Sequence, residues 1–298
     1  MTAFLFAVLV LAWGFTWYAI KLQLGVVPME VSICYRFALA ALVMWLGLAV
    51  TRRLRPARLA QHRWFALMGL SLFGLNFLLI YDASQYIASG IVSVLFSTAT
   101  VFNACNQWIF LGKRPSPRVL AGAALGIAGI TLLFGAEFAE LGTSHALPLG
   151  IGLALAGTFV FSLGNLASMR ATGDGFDLPN AIARGMTWGA AFLAAFALAR
   201  GRSFIMDPSP GYLLSLAYLA VPGSVLGFLA YLSLVARVGA DRAAYATVLF
   251  PVVALAVSTV LEGYVWTPWA LAGLPLILLG NVVIFARPRV RRSAESPA

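Results

Sequence analysis

Charge is what this sequence has least of. Of 298 residues, only 10% are Asp, Glu, Lys or Arg, against roughly a quarter in a soluble globular domain. So little charge cannot cover a folded surface facing water, which excludes a soluble globule and makes lipid the solvent. Histidine and cysteine are scarce too, at two each. His62 and His145 fall in loops on opposite sides of the predicted bilayer, so they build neither a metal cage nor a catalytic triad. Cys34 and Cys105 stand singly inside apolar runs, leaving no disulfide framework and no paired-thiol metal motif; each is expected to be a small core residue. The ten acidic residues lie in loops or at the ends of apolar runs, with no DxxD pair, Walker loop or HExxH. No metal and no cofactor is expected.

What the sequence has in plenty is apolar: 61% of its residues are hydrophobic and mean hydropathy is +0.92. Ten apolar segments of about 20 residues, the length that crosses a bilayer, run over 3–22, 30–51, 64–82, 85–110, 117–136, 147–169, 179–199, 211–236, 242–262 and 268–286. Breaks fall where turn and charge signals cluster, as at Gly112-Lys113-Arg114-Pro115, Gly173-Asp174-Gly175 and Asp207-Pro208-Ser209-Pro210. Between the third and fourth segments, Asp82 and Gln85 predict a very tight turn; one long broken helix is the alternative. The first segment lacks a basic lead and a cleavage site, so it reads as a span rather than a removable signal.

The net charge of +10 would suit a nucleic-acid partner, but the basic residues flank apolar runs instead of forming a stripe. With ten spans, fifteen Lys and Arg fall on the side of both termini, three (Lys21, Arg200, Arg202) on the other, and two (Arg36, Arg184) within spans. Basic loops stay in the cytoplasm, so both termini are expected there, and no nucleic acid is implied.

Residues 86–134 align without gaps onto 237–285. Gly112, Pro117, Ala121, Gly122, Leu125, Gly129 and Phe134 recur as Gly263, Pro268, Ala272, Gly273, Leu276, Gly280 and Phe285. Lys21 and Arg170, then Arg36 and Arg184, recur at nearly the same offset. The expected fold is an all-α polytopic membrane protein whose ten transmembrane helices form two five-helix repeats, 1–142 and 143–298, the second ending in a short basic cytoplasmic tail. An odd helix count turns the second copy upside down, and inverted repeats of this kind place a transporter's substrate near the midplane between them.

Polar residues inside spans nominate a site. Ser93, Ser97, Thr100, Asn103 and Gln107 share one helical face; so do Thr158, Ser162 and Asn165, then Trp13, Thr16 and Trp17, and Phe73, Asn76 and Ile80, with Tyr81 beyond. Such stripes must face protein or water. Interhelical hydrogen bonding is one reading of each residue; together they read as a shared polar cavity. Trp17, Asn76, Tyr81, Thr100, Asn103, Gln107, Ser162, Asn165 and Tyr231 are the expected lining. Arg36 and Arg184 are read as structural, by their symmetric placement, or as contacts for a substrate carboxylate. Glu262, at a span end, reads as facing the interface, so no acidic residue buried in a span suggests proton coupling. Pro222-Gly223 and Pro251 are expected to interrupt their spans. The glycines Gly122, Gly126 and Gly129 read as packing.

These residues bring a family into view. Trp13-Gly14-Phe15-Thr16-Trp17-Tyr18-Ala19-Ile20-Lys21 followed by Arg36-Phe37 resembles the first repeat of the EamA-type drug/metabolite transporters, and Leu111-Gly112-Lys113-Arg114 with Gly122, Gly126 and Gly129 resembles that repeat's end. Arg184, Pro251 and Gly273 to Gly280 carry the likeness through the second copy. Lys113 and Tyr264 stand where the family commonly has Glu, and Thr100 where a proline is typical, so no mechanism using that Glu is carried over. The aromatic-rich spans look most like the family's aromatic amino-acid exporters. That implies export of amino acids, aromatic and other neutral ones, or related small metabolites across a bacterial inner membrane by alternating access. The implied partners are a small-molecule substrate and the bilayer, with a monomer as working unit. A nucleotide-sugar or sugar-phosphate exchanger of the same superfamily is the second reading, and only Arg36 and Arg184 would meet its anionic cargo. A membrane-embedded transferase is a third, lacking its acidic metal motif.

Overall fold

The computed structural model describes residues 2–133, 146–173, 175–238 and 246–285. The repeat boundary at 142/143, His145, Arg242 and the basic tail after 285 lie outside them. Helix is the regular structure throughout the described residues, with no strand among them. In order come α1 (Thr2–Lys21), α2 (Met29–Val50), α3 (His62–Met68), a π-helical stretch Gly69–Leu75 running straight into α4 (Asn76–Tyr86), α5 (Ser89–Phe96), α6 (Ala99–Leu111), α7 (Pro117–Leu133), α8 (Ala146–Ala171), α9 (Leu178–Ala199), α10 (Pro210–Tyr218), a second π-helical stretch Leu219–Leu226 continuous with α11 (Gly227–Val238), α12 (Ala246–Leu261) and α13 (Pro268–Phe285). Among the described residues, six helical stretches are long and apolar enough to cross a membrane, and three shorter ones are apolar.

Three boundaries differ from expectation. No turn forms at Asp82 and Gln85: Gln85 Nε2 donates to Asp82 Oδ1 at 2.8 Å and Ser84 to the Ile80 carbonyl, local bonds that a helix satisfies well. The chain turns instead at Ile87 and Ala88, both extended. The fourth segment is two helices, broken around Ser97 and Thr98, whose hydroxyls bond back to the carbonyls of Val94 and Leu95 and compete with the helix ladder. Pro222 does not break its span. The wide π-helical turn absorbs its missing N–H, and Ser224 Oγ donates to the Leu219 carbonyl at 2.8 Å.

Two helix ends share one design. Gly112 (φ 67°) and Gly263 (φ 68°) are left-handed, a conformation glycine enters without a Cβ penalty. In both, the next N–H reaches back six residues, Lys113 to Gln107 and Tyr264 to Ser258, satisfying a carbonyl that would otherwise lack a partner.

The packing pairs the helices symmetrically. α2 lies on α9, α7 on α13 and α5 on α12; α1 packs against α11 and α12, while α8 packs against α4, α5 and α6. The α7–α13 seam is made of glycine. A Cβ on Gly122 would meet the Gly280 carbonyl, and one on Gly280 the Gly122 carbonyl; Gly129 and Gly273 face each other in the same way. Gly126 is buried in the same seam, its backbone nitrogen 3.2 Å from where a Cβ on Gly280 would stand, although its own Cβ direction is open. Helices in lipid gain little from the hydrophobic effect, so such backbone-to-backbone approach is what holds them.

Candidate functional site

Helix connectivity puts Arg52–Arg58, Lys113 and Arg170 at one end of the bundle and Lys21, Glu30, Ser89, Arg202 and Glu262 at the other. On the arginine-rich side of the bundle's middle lies a cavity of about 500 Å³ between α1, α6, α8, α11 and α12. It is lined by Ser97, Thr100, Asn103, Gln107, Asn165, Ser168 and Tyr231 together with Trp13, Phe96, Phe161, Phe228 and Phe250. Those five aromatics also wall a smaller, deeper chamber of about 80 Å³ reaching Thr16, Trp17, Arg36 and Phe77. The rings interlock: Phe96 and Phe161 have centroids 4.7 Å apart, Trp17 and Phe96 5.1 Å, Trp13 and Tyr231 5.8 Å. Two further grooves, around Phe6 and Leu234 and around Trp64 and Phe110, are apolar and open outward, as a lipid-facing surface would be.

The expected lining residues divide. Asn103, Gln107, Asn165, Thr100 and Tyr231 meet in the outer cavity, and Trp17 and Arg36 in the deep chamber. Asn165 Nδ2 donates to Asn103 Oδ1 at 3.1 Å, tying α8 to α6 across the wall. Thr100 spends its hydroxyl on Asn281 Oδ1 at 2.7 Å, and Asn281 Nδ2 donates to Ser97 Oγ at 3.2 Å, so α13 is pinned to the helix break. Ser162 is fully buried and accepts from Asn106 Nδ2, outside both cavities. Asn76 is fully buried as well; its amide bonds the Leu72 carbonyl left by the first π-helical stretch. Tyr81 is buried beside Arg36 and lines neither cavity.

The two span arginines sit in different surroundings. Half-buried Arg184 donates to the carbonyls of Asn180 and Arg55, holding the 51–58 loop, and stacks over Trp45, 4.9 Å from its centroid. Arg36 is 3% exposed. Its Nε donates to Ser224 Oγ at 3.3 Å and its guanidinium lies 4.3 Å from the Phe77 ring centroid.

Sequence reasoning missed the four phenylalanines of the wall, because an all-apolar helix carries no periodicity marking which ring faces inward. It also missed Asn106 and Asn281. Asn106 lies one residue off the polar stripe, and Asn281 is a single amide in an apolar run.

The far end is shut by charge. Glu262 does not face the interface: its side chain is 5% exposed, pairs with Lys21 Nζ at 2.9 Å, and accepts from the Ser89 hydroxyl and from the Ser89 N–H at 3.1 Å. One carboxylate thereby joins α1, α5 and α12. Glu30, also buried, pairs with Arg202 Nε at 2.9 Å. Removing the cation from a buried pair strands the carboxylate, whereas neutralising the carboxylate strands only a half-exposed lysine. Lys21→Met is therefore expected to cost about 2 kcal/mol, and Glu262→Gln less than about 1 kcal/mol. Thermal unfolding of the purified variants checks this; equal losses would contradict the geometry.

The profile of the EamA-like transporter family matches residues 1–135 and again 148–286. Relatives align over nearly their full length. "Uncharacterized transporter YvbV" of Bacillus subtilis is 26% identical over 98% of this chain and 94% of that protein. "Uncharacterized inner membrane transporter YedA" of Escherichia coli is 28% identical, covering 96% and 93%. "Probable amino-acid metabolite efflux pump" of Salmonella typhimurium is 29% identical, covering 98% and 97%. A solved crystal structure at 16% identity superposes with a TM-score of 0.67 over 95% of this chain and 96% of that one, a likeness of fold.

Proposed function

Since the chain belongs to the EamA-like transporter family, and is thus a membrane transporter and not an enzyme, we propose that it exports amino acids, aromatic and other neutral ones, or related small metabolites by alternating access. The observation that carries this is the cavity: displaced toward the arginine-rich end, with an ion pair closing the opposite end of the bundle, and lined by neutral amides and aromatic rings. Amides and ring faces suit a small amphiphile, and the efflux name of the Salmonella relative points to the same cargo. A nucleotide sugar would need several cations here, and among the described residues lining the two cavities Arg36 is the only one.

The proposed architecture is ten spans in two inverted repeats meeting near residue 142. The family profile matching twice, the reciprocal glycine pairs, the paired Gly112 and Gly263 helix ends, and the mirrored helix contacts all support it. The proposed orientation, with both termini in the cytoplasm of a bacterial inner membrane, rests on the basic loops. A reporter fused after residue 142 is expected outside the cytoplasm; cytoplasmic activity there would overturn the topology.

Counterflow in proteoliposomes with labelled amino acids, sugars and nucleotides tests the cargo. Amino-acid counterflow is expected, and Gln107→Ala is expected to reduce it at least threefold with the melting temperature unchanged, because Gln107 lines the open cavity and no hydrogen bond tethers its side chain. Counterflow of sugars or nucleotides alone would replace this reading with the exchanger.

A further inference from the structure

Three buried polar groups gather in and beside the deep chamber with more donors than acceptors among them. Arg36 Nη1, Trp17 Nε1 and the Tyr81 hydroxyl are all cut off from solvent; the Arg36 guanidinium and the Tyr81 oxygen interact with each other, and beyond that mutual contact none of the three meets hydrogen-bond geometry. Arg36 and Trp17 wall the same deep chamber, and Tyr81 lies against the Arg36 guanidinium.

A buried guanidinium normally sits opposite a carboxylate, because leaving a charge unpaired away from water is costly. Among the described residues no carboxylate takes that place. The ion pairs among the described residues are Lys21–Glu262 and Arg202–Glu30. Glu30, on the same helix as Arg36, is turned to Arg202, and Asp82, next to Tyr81, is turned to Gln85. Arg36 instead has two neutral hydroxyls, Ser224 on Nε and Tyr81 beside the guanidinium, and the rings of Phe77 and Phe37 at 4.3 and 5.0 Å from its central carbon. The rings offset part of the charge but accept none of the remaining N–H bonds. Arg184, in the other half of the chain, meets backbone carbonyls and is only partly buried, so full burial without a carboxylate or carbonyl partner sets Arg36 apart from it.

We infer that Arg36, assisted by Trp17 and Tyr81, is the receptor for the substrate's carboxylate. The inference rests on the transport reading and deepens it: the cargo is a monocarboxylate, and its acid end is bound at the blind end of the cavity. A carboxylate brings two oxygens that together accept several N–H and O–H bonds, matching the donors present. One negative charge balances the one positive charge. A phosphate would bring more charge than a lone guanidinium neutralises, and the surrounding ring faces offer it nothing. The aromatic walls shared by chamber and outer cavity then enclose the apolar part of the cargo.

The test compares acids with their amides, which differ little in shape but lack the charge. In counterflow by the unaltered protein, phenylalanine and leucine are expected to exchange at least tenfold faster than phenylalaninamide and leucinamide. That ratio is expected to fall to about one in Arg36→Gln, to survive in part in Arg36→Lys, and to drop severalfold in Tyr81→Phe, which keeps the ring. Equal exchange of acid and amide by the unaltered protein, or an unchanged ratio in Arg36→Gln, would overturn the inference. Binding without transport is read from the melting temperature of purified protein with phenylacetate against phenylacetamide. The acid is expected to raise it and the amide not, since only a ligand held by the folded state stabilises it. Stabilisation by phenylacetate without amino-acid counterflow would overturn the cargo reading and keep the carboxylate receptor. Equal shifts with the two compounds would overturn the receptor whatever the protein transports.

Discussion

Gly273→Ala is expected to cost at least 3 kcal/mol and to leave little folded protein in detergent. A Cβ at that position would stand 2.6 Å from the Gly129 carbonyl oxygen, 2.6 Å from the Leu133 nitrogen and 2.9 Å from the Leu133 Cα. All three are backbone atoms, so no side chain can rotate away; α7 and α13 would have to separate along their whole seam. Gly126→Ala is the matched control. It lies on the same helix as Gly129 with nothing within 4 Å of the added methyl, and alanine is the better helix former by about 0.8–1 kcal/mol. Size-exclusion profiles and melting temperatures of the two variants decide the matter. Similar behaviour of both would mean that the seam is not what holds α7 to α13.

Trp17→Ala is expected to reduce transport at least tenfold and to lower stability by about 3 kcal/mol. A lining role alone would let this variant lose flux with folding intact, but Trp17 is 6% exposed and wedged between Phe96 and Phe250, at 5.1 and 5.9 Å between centroids. Truncating it removes the contact that couples α1 to α5 and α12 and opens a void at the chamber wall. Trp17→Phe separates the two effects, since it keeps most of the ring packing and deletes the unpartnered indole N–H. Its melting temperature is expected to stay within a few degrees of the unaltered protein while flux still falls. Full flux in Trp17→Phe would remove the indole N–H from the cargo's contacts.

How much was legible beforehand follows from which physical signal each feature leaves. Span positions came from hydropathy and are close for α1, α2, α7, α9 and α13, because lipid imposes length and apolarity on every residue of a span. The turn after Tyr86 was placed several residues early, because Asp82 and Gln85 look like loop residues until their side chains are seen bonding each other along a helix. The amides of the cavity were found because polar groups are rare in spans and their 3–4 spacing marks a face. Whether such a polar side chain faces a cavity or another helix was not legible: Asn103 and Ser162 carry the same signal, yet one lines the cavity and the other is sealed against Asn106. Glu262 misled because its position at a span end suggested solvent. Its partners, Lys21 and Ser89, are more than 170 positions away in the chain, and pairing over such a separation leaves no local trace.

The Glu262 lock bears on how this carrier would spend its idle time. Among the described residues, ion pairs fasten only the end of the bundle that is extracytoplasmic on the proposed orientation; in the proposed alternating-access cycle, the empty protein would then rest with its mouth toward the cell interior. Export then begins by loading from the side where cargo is made, with no prior rearrangement. Each turnover must pull apart Lys21 and Glu262 and later let them rejoin, a toll that depends on the protein and not on what it carries. Cargoes of very different affinity would in that case share one ceiling on turnover.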